Sequence, residues 1–388
     1  MRRHLLCSLR TISASVLIIV ACTLAQAVTA TRDWQPQRTW VYVVGLLKFQ
    51  HRDMFNSFPQ TNRRDAQLVE FFRQQGVPEE QIVFLKDGQA TSHRLQISFP
   101  AFLSKAGPND FLFFYYTGHG YKSDDESQTF FATYDTSEDT DGWATDSIVR
   151  DIEKYFKGNR ALLTADTCYS GSLTADVQRL GRRVSYASLT SSSANHTSTE
   201  NWTFTEMLLA GLRGEAFADL NGDGEVSLSE LAQDVKEDMA FAEQQRSTFA
   251  TTGRFPDEML LAPATPKIDP LISQRVQVRS EGDWYKARVI DVRGGTYRVH
   301  YFGFEDSDDE WVTLRQIRNV RTLASSSMAG ARVQAEWQST QSPRPRVSKV
   351  EQGLNPSHKK HYDGAWDESV MPNRNRQGSN SKWDTRDQ

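Results

Sequence analysis

Two apolar runs, each closed by small and polar residues, decide the fold of this chain: DFLFFYYTGHG at 110–120 and RALLTADTCYSG at 160–171. An uninterrupted apolar run rich in aromatic residues is typical of a strand buried on both faces of a parallel sheet. The helical pattern at 145–156 supplies the crossover that two parallel strands need. Because open parallel sheets carry their chemistry beyond the carboxyl ends of the strands, we expect His119 and Cys168 to meet there.

A cysteine and a histidine placed in this way are suited to nucleophilic catalysis. A cysteine thiol is mostly protonated at neutral pH, and an imidazole can take its proton and return it during acyl transfer. Gly118 and Gly120 permit a tight turn around His119, and the backbone N–H groups of Gly120 and Cys168 can then face a developing oxyanion. The structural alternative is that Cys168 is a small buried hydrophobe and the His-Gly pair a simple turn.

The motif Thr-Gly-His-Gly at 117–120, followed by Asp-Thr-Cys-Tyr-Ser-Gly at 166–171, resembles the caspase-like cysteine peptidases, most closely the metacaspase-like branch. The resemblance spans about residues 39–263. Legumain-type peptidases share the His-Gly and Cys-x-Ser-Gly layout. The resemblance implies a three-layer α/β/α caspase-like fold with a mainly parallel sheet. It also implies a cysteine endopeptidase that uses His119 and Cys168 on a peptide or protein substrate and needs no cofactor for the chemistry.

Asp166 is a candidate for substrate recognition. Positions two apart in a strand face the same side, so its carboxylate is expected near Cys168. A carboxylate at the base of a specificity pocket selects Arg or Lys, and in metacaspase-like relatives the matching Asp has that role. The alternative is that Asp166 caps a neighbouring turn through backbone N–H groups.

Strands and helices alternate through the rest of this region, which predicts a sheet with helices on both faces. We expect strands at 39–49, 81–85 and 184–189, and helices at 63–75, 92–105, 145–156 and 202–212. Residues 121–142 are rich in Asp and Glu and are interpreted as a loop, either solvated or bordering the substrate cleft.

The amino terminus carries a basic segment, an apolar run from Ile12 to Ala25 and small residues at Ala27 and Ala30. This pattern predicts a signal peptide over residues 1–30 and an exported protein that is periplasmic, in the cell envelope or secreted. Two alternatives stay open: a lipoprotein signal, with Cys22 lipidated and hence a membrane partner, or an uncleaved anchor. The formal net charge of −4 gives no reason to expect a nucleic-acid partner.

A stretch inside the α/β region fits the twelve-residue EF-hand loop, residues 219–230. It has oxygen donors at the expected positions and a glycine at the sixth position, where the turn demands it. The sequence therefore predicts a Ca²⁺ site of structural or regulatory importance; the alternative is a relic loop that keeps its shape without metal. The candidate ligands are Asp219, Asn221, Asp223, Glu225 through its carbonyl, Ser227 and Glu230.

The predicted peptidase domain covers residues 31–263, and the amino-acid composition changes after it. Residues 264–270 are proline-rich and predict a linker between separately folding domains. Short strands at 271–320 predict a small all-β barrel. The segments around Trp284, Tyr301 and Trp311 resemble Tudor, Tudor-knot and agenet domains, which implies a barrel of the SH3 or Tudor kind. That group often carries an aromatic cage for methylated cations; the alternative is that the aromatic side chains are the core of a small barrel. Cage candidates are Trp284, Tyr285, Tyr301, Phe304 and Trp311.

The tail over 321–388 is polar, with echoes of the first barrel that are either a degenerate second barrel or chance matches. The sequence thus favours an exported caspase-like cysteine endopeptidase that cleaves after Arg or Lys, with calcium dependence as an open alternative. The rival hypothesis is a catalytically silent caspase-like scaffold whose barrel is a binding module.

Overall fold

The computed structural model describes residues 32–318, which contain sixteen strands and six α-helices. The strands are β1 (Thr39–Gly45), β2 (Ile82–Lys86), β3 (Phe111–Thr117), β4 (Gly120–Lys122), β5 (Thr129–Phe131), β6 (Trp143–Ala144), β7 (Arg160–Asp166), β8 (Ser185–Thr190), β9 (Glu225–Ser227), β10 (Thr248–Thr251), β11 (Leu260–Pro263), β12 (Arg275–Ser280), β13 (Asp283–Arg293), β14 (Thr296–Tyr301), β15 (Glu310–Thr313) and β16 (Ile317–Arg318). The helices are α1 (Arg64–Gln74), α2 (Ser92–Leu103), α3 (Thr145–Tyr155), α4 (Gly171–Leu180), α5 (Thr203–Arg213) and α6 (Leu228–Asp238).

The main sheet has six strands in the order β10-β8-β7-β3-β1-β2. Its neighbouring strands are parallel, except that β10 runs antiparallel to β8 at one edge. All seven residues of β3 are buried, as expected for a central strand covered on both faces. The prediction of a mixed α/β domain with a mainly parallel sheet is therefore confirmed.

Helices cover both faces of this sheet. Because successive side chains of a strand point to opposite faces, Phe113 packs into a core with α1, α5 and α6. Its neighbour Phe114 packs into a second core with α2, α3 and α4. The two cores share the sheet between them and fix the ends of its strands in space.

The predicted helices lie within about two residues of their observed bounds, and α2 continues past Pro100 to Leu103. The loop interpretation of residues 121–142 is wrong in part, because β4, β5 and β6 form a small antiparallel sheet there. Its strands are too short for alternation to be visible in the sequence. They are held by cross-strand packing, such as the stacked rings of Tyr121 and Phe130, which face each other in the β4–β5 pair.

A second, wholly antiparallel sheet of five strands in the order β15-β14-β13-β12-β16 curls at the carboxyl-terminal end of the described residues. It is the region predicted as a barrel, and that name is kept for it below. The barrel is fixed on the α/β domain through buried charges: the Arg288 guanidinium of β13 contacts the carboxylates of Asp234 and Asp238 on α6 at 2.7 and 2.5 Å. The preceding segment is also packed, since Ala264 N–H donates to the carbonyl of Gly224. These contacts favour a docked barrel over a separately moving module.

The predicted signal segment, Cys22 and the tail over 321–388 with its proposed second barrel lie outside the described residues. Within residues 32–318, no helix combines the length and the apolar character needed to cross a membrane.

Candidate active site

The two predicted catalytic residues follow neighbouring strands at the same edge of the sheet. β3 and β7 are adjacent and parallel, and Thr117 pairs in register with Asp166. His119 and Cys168 each come two residues after their member of that pair. The topology therefore brings them to the carboxyl end of the sheet together, as expected from the two motifs.

The turns that carry His119 and Cys168 are packed directly on each other. A Cβ added to Gly120 would lie 2.1 Å from the carbonyl oxygen of Cys168, so a side chain at this position would clash. The hydroxyl of Thr167 donates to the carbonyl of Gly118 at 2.7 Å, which ties the turns together. Both residues predicted to form the oxyanion site, Gly120 and Cys168, thus come into contact.

The imidazole of His119 is held in an aromatic enclosure. Its ring centroid lies 4.9, 5.1 and 4.5 Å from those of Phe49, Phe55 and Phe58. Nε2 is 2.8 Å from the carbonyl oxygen of Asn56. A carbonyl only accepts, so this contact assigns the proton of a neutral ring to Nε2 and the lone pair to Nδ1. Burial lowers the pKa of His119 to about 4, against a smaller opposing effect of the Asn56 carbonyl.

The thiol of Cys168 is also buried and is held by one distant loop. The backbone N–H of Ser198 donates to Sγ at 3.1 Å, and the S–H faces the carbonyl of Ser198 at 3.8 Å. Burial raises the pKa of Cys168 to about 12, while the N–H of Ser198 acts in the opposite direction. In this state both members of the pair are neutral near pH 7.

Serine hydroxyls brace the turn around Cys168. Ser192 Oγ donates to the carbonyl of Thr167 at 2.9 Å and accepts from the N–H of Ser170 at 3.1 Å. In the sequence, residues 191–193 look only like the polar end of a strand. Their role follows from the adjacency of β7 and β8, which no local pattern in either segment announces.

Asp166 ends β7, and its carboxyl group contacts the first turn of α5. Its Oδ2 accepts from the hydroxyl of Thr205 at 2.7 Å, and the carboxyl also interacts with the hydroxyl of Ser191 and the backbone N–H of Thr205. Burial raises the pKa of Asp166 to about 7, and the nearby charge of Glu243 acts in the same direction. The carboxylate thus has the contacts of a capping group. Asp166 also lines the cleft that is described next.

A cleft of about 210 Å³ opens beside Cys168 and Asp166. Four of the residues that line the cleft have carboxylate side chains. None of the lining residues is a Lys or an Arg. Glu206 is paired with Arg64 at 2.9 Å, but the cleft as a whole favours a cationic occupant. Phe58, which packs on the His119 ring, also lines it. The lining residues are Leu47, Phe58, Pro59, Thr61, Asn62, Thr117, Gly118, Asp166, Thr167, Cys168, Ser198, Thr199, Glu200, Asn201, Trp202, Glu206, Gly303, Phe304 and Glu305.

Comparison with known proteins gives little further information. No known family profile matches this chain, and no curated protein does. Among solved structures, the crystal structure of protein GSU0716 from Geobacter sulfurreducens aligns at 13% identity with a TM-score of 0.43, covering 59% of this chain and 100% of that one. A likeness at this level assigns neither a fold family nor an activity.

The segment predicted to bind calcium, residues 219–230, forms a tight turn. Gly224 has a φ of +88°, a conformation that favours glycine. The carboxylate of Asp219 accepts from the N–H groups of Gly222 and Gly224, and that of Glu230 accepts from Leu220, Asn221 and Ser227. The donors are all oxygens, which suits Ca²⁺. Asn221, Asp223 and Glu225 are exposed, and the amide of Asn221 donates to the carboxylate of Asp223 at 2.9 Å. Residues 32–318 contain no group of three or more His, Cys, Asp or Glu side chains positioned to hold a metal.

Of the five aromatic cage candidates, the structure brings three together. The rings of Tyr285, Tyr301 and Phe304 lie 5.8 to 6.1 Å apart, each pair edge to face. Trp284 lies under the guanidinium of Arg318 at 3.8 Å. Trp311, 42% exposed, is covered by Arg293 at 5.1 Å.

Proposed function

We propose that this protein is a cysteine endopeptidase of the caspase-like kind, with His119 and Cys168 as the catalytic pair and a preference for cleavage after Arg or Lys. The observation that carries the proposal is the acidic cleft at the end of β3 and β7, which Cys168 and Asp166 line together. The α/β domain with helices on both faces of a mainly parallel sheet agrees with a caspase-like fold.

The proposed reaction is acyl transfer. His119 takes the proton of the Cys168 thiol, and the sulfur forms a bond to the carbonyl carbon of the scissile peptide. The oxyanion that develops faces the backbone N–H groups of Gly120 and Cys168. His119 then gives its proton to the departing amine as the C–N bond breaks. In the second half, His119 takes a proton from water, and the water oxygen bonds to the acyl carbon as the C–S bond breaks and the acid is released. His119 then returns its proton to the Cys168 thiolate, which restores the neutral pair.

The contact between His119 and Asn56 supports this role. A general base needs a defined tautomer and orientation, and the carbonyl of Asn56 fixes the proton on Nε2. Nδ1 is then the nitrogen that accepts the thiol proton. The proposal requires the dyad to ionise only with substrate bound, because burial keeps both groups neutral in the free protein.

The burial of both groups also favours the rival function, in which the α/β domain is a silent scaffold and the barrel binds a ligand. The scaffold function does not require a carboxylate near the thiol. The proposed peptidase function requires one, because the basic side chain of a bound substrate and the Asp166 carboxylate can form a paired, desolvated contact.

Calcium binding and export are further parts of the proposal. Ca²⁺ would be held by the loop over 219–230, with Asp219 and Glu230 exchanging their backbone partners for the ion, and would stabilise the start of α6. Export rests on the sequence of residues 1–30.

The test uses peptides that differ only at the cleaved residue, which is Arg, Lys, Asp or Asn. We expect the wild type to cleave after Arg and Lys, and Cys168→Ala and His119→Ala each to lose at least about a thousandfold in kcat/KM. His93→Ala, which removes an exposed histidine on α2, is the control and keeps full activity. Cleavage by either active-site variant at the wild-type rate would exclude the pair, and a preference for Asp or Asn would exclude the role of Asp166.

A further inference from the structure

The barrel forms part of the cleft that contains Cys168. Gly303, Phe304 and Glu305, which follow β14, line the same space as Cys168 and Asp166. The sequence shows no reason to expect this, because these residues lie about 135 positions after the nucleophile in a different sheet. A domain expected to bind a separate ligand therefore supplies a wall of the candidate active site.

Three contacts around the cleft hold this wall in place. Arg64 of α1 binds Asp306 through two nitrogens at 3.0 and 2.5 Å and also binds Glu206. His300 of β14 lies 3.4 Å from the Glu206 carboxylate. Burial alone would lower the pKa of His300, but hydrogen bonds to Asp309 and Glu206 outweigh it and raise that pKa to about 10.

The third contact is steric. Gly303 has a φ of +80°, and a Cβ on it would lie 2.9 Å from the side chain of Asn201, which itself lines the cleft. The wall is thus fitted against the loop that precedes α5 and joined by charge to α1 and α5. These contacts leave segment 303–305 in a defined position beside the substrate.

The chemistry of the segment suits a cationic side chain with an apolar stem. Glu305 is exposed and lines the cleft, and its backbone N–H donates to the carboxylate of Asp308 at 3.1 Å. Phe304 is half-buried on the rings of Tyr285 and Tyr301, which fix its orientation. A carboxylate next to a fixed aromatic ring can bind an ammonium or guanidinium through charge and cation–π attraction.

We propose that segment 303–305 of the barrel is a second specificity site of the peptidase, in which Glu305 and Phe304 select a Lys or Arg that flanks the basic residue bound at Asp166. The substrate class is then a peptide with two nearby basic residues rather than one. This inference rests on the proposed peptidase function and extends it. It makes the barrel a part of the substrate cleft.

The experiment measures cleavage and binding separately in the full chain. The peptides carry Arg at the cleaved position and a single Lys moved through the flanking positions, each matched by a peptide with Gln there. Cleavage is measured with the wild type, Glu305→Gln and Glu305→Lys. Binding of the same peptides is followed by fluorescence anisotropy on a Cys168→Ala background. Glu281→Gln, an exposed carboxylate in the turn between β12 and β13, is the matched control.

At one flanking position we expect Lys to improve kcat/KM roughly two- to fivefold over Gln, mainly through KM, as for an exposed charge pair. Glu305→Gln should abolish this gain, Glu305→Lys should reverse it, and Glu281→Gln should keep it. Equal treatment of the Lys and Gln peptides by all variants would overturn the inference while leaving the peptidase intact. Binding that depends on Glu305 without any cleavage would refute the peptidase and with it the role of segment 303–305 as a peptidase specificity site, and would show a site for basic peptides instead. An absence of both binding and cleavage would refute the two together.

Discussion

Replacing Asp166 with Asn should make the protein more stable and less active at the same time. In the folded chain burial raises the pKa of Asp166 to about 7 from its ordinary value of 3.8. A carboxyl group whose pKa is higher in the folded than in the unfolded chain favours folding at acid pH. That contribution is lost as the pH rises from about 4 to about 7, and above pH 7 the buried charge carries its full cost.

The size of the effect follows from the pKa difference. At about 1.4 kcal/mol for each pH unit, the change from 3.8 to about 7 corresponds to at most about 4 kcal/mol at pH 8. Asn has nearly the same shape, and its amide oxygen can still accept from the hydroxyl of Thr205. The variant should therefore gain up to about 4 kcal/mol in the free energy of unfolding at pH 8 and nearly nothing at pH 4.

Activity should change in the opposite direction. Loss of one member of a buried charge pair costs about 2–5 kcal/mol, so kcat/KM for an Arg peptide should fall roughly 30-fold or more. The assays are urea unfolding at several pH values and peptide cleavage at pH 8. Asp151→Asn is a control, because Asp151 lies half-buried on α3 away from the cleft; it should keep full cleavage. A variant that loses stability at pH 8, or that keeps Arg cleavage, would refute the reasoning.

Three further predictions follow from the described contacts. In the wild type, kcat/KM for Arg peptides should fall as the pH drops below about 7, because Asp166 becomes protonated. The value of kcat should fall only at lower pH, because the bound cation lowers the pKa of that carboxyl, and a flat pH profile would contradict this. Millimolar Ca²⁺ should raise Tm by mass action, and Glu230→Gln should remove this rise. Glu225→Gln should keep the rise, because only the backbone carbonyl of Glu225 is expected to bind the ion. An equal rise in Glu230→Gln would exclude the loop as the calcium site. Arg288→Ala should lower the free energy of unfolding by about 3–5 kcal/mol in urea titrations, since it removes the buried cation between Asp234 and Asp238 and leaves them only Arg275. An effect below about 1 kcal/mol would mean that the barrel is not docked as described.

The sequence predicts the frame of this protein well because the frame is local in origin. The apolar runs that end at Thr117 and Asp166 are strands with the expected bounds, and their parallel pairing follows from the helix between them. The alternation of Phe113 and Phe114 across the sheet is a property of any strand. His119, Cys168 and Asp166 could be chosen from the sequence because they stand at strand ends.

The remaining site residues could not be predicted, because their roles come from distant segments. Ser198 contacts Cys168, and Asn56 contacts His119, through backbone groups, and such contacts do not depend on residue type. Thr205 looks like an ordinary helical residue until α5 is placed beside β7. Glu305 lines the cleft because the barrel is fixed on the α/β domain. The contacts that fix it are the Arg64–Asp306 pair and the pairs of Arg288 with Asp234 and Asp238.

The most direct test of the central claim is covalent capture of Cys168 by a peptide electrophile that carries Arg next to its reactive carbon. The adduct is located by mass spectrometry of peptide fragments. The account predicts one adduct per chain at Cys168, formed far faster than with iodoacetamide, because burial keeps the resting thiol protonated. His119→Ala should lose this labelling while His93→Ala keeps it. An unlabelled Cys168, or an adduct that forms at the same rate without His119, would contradict the account.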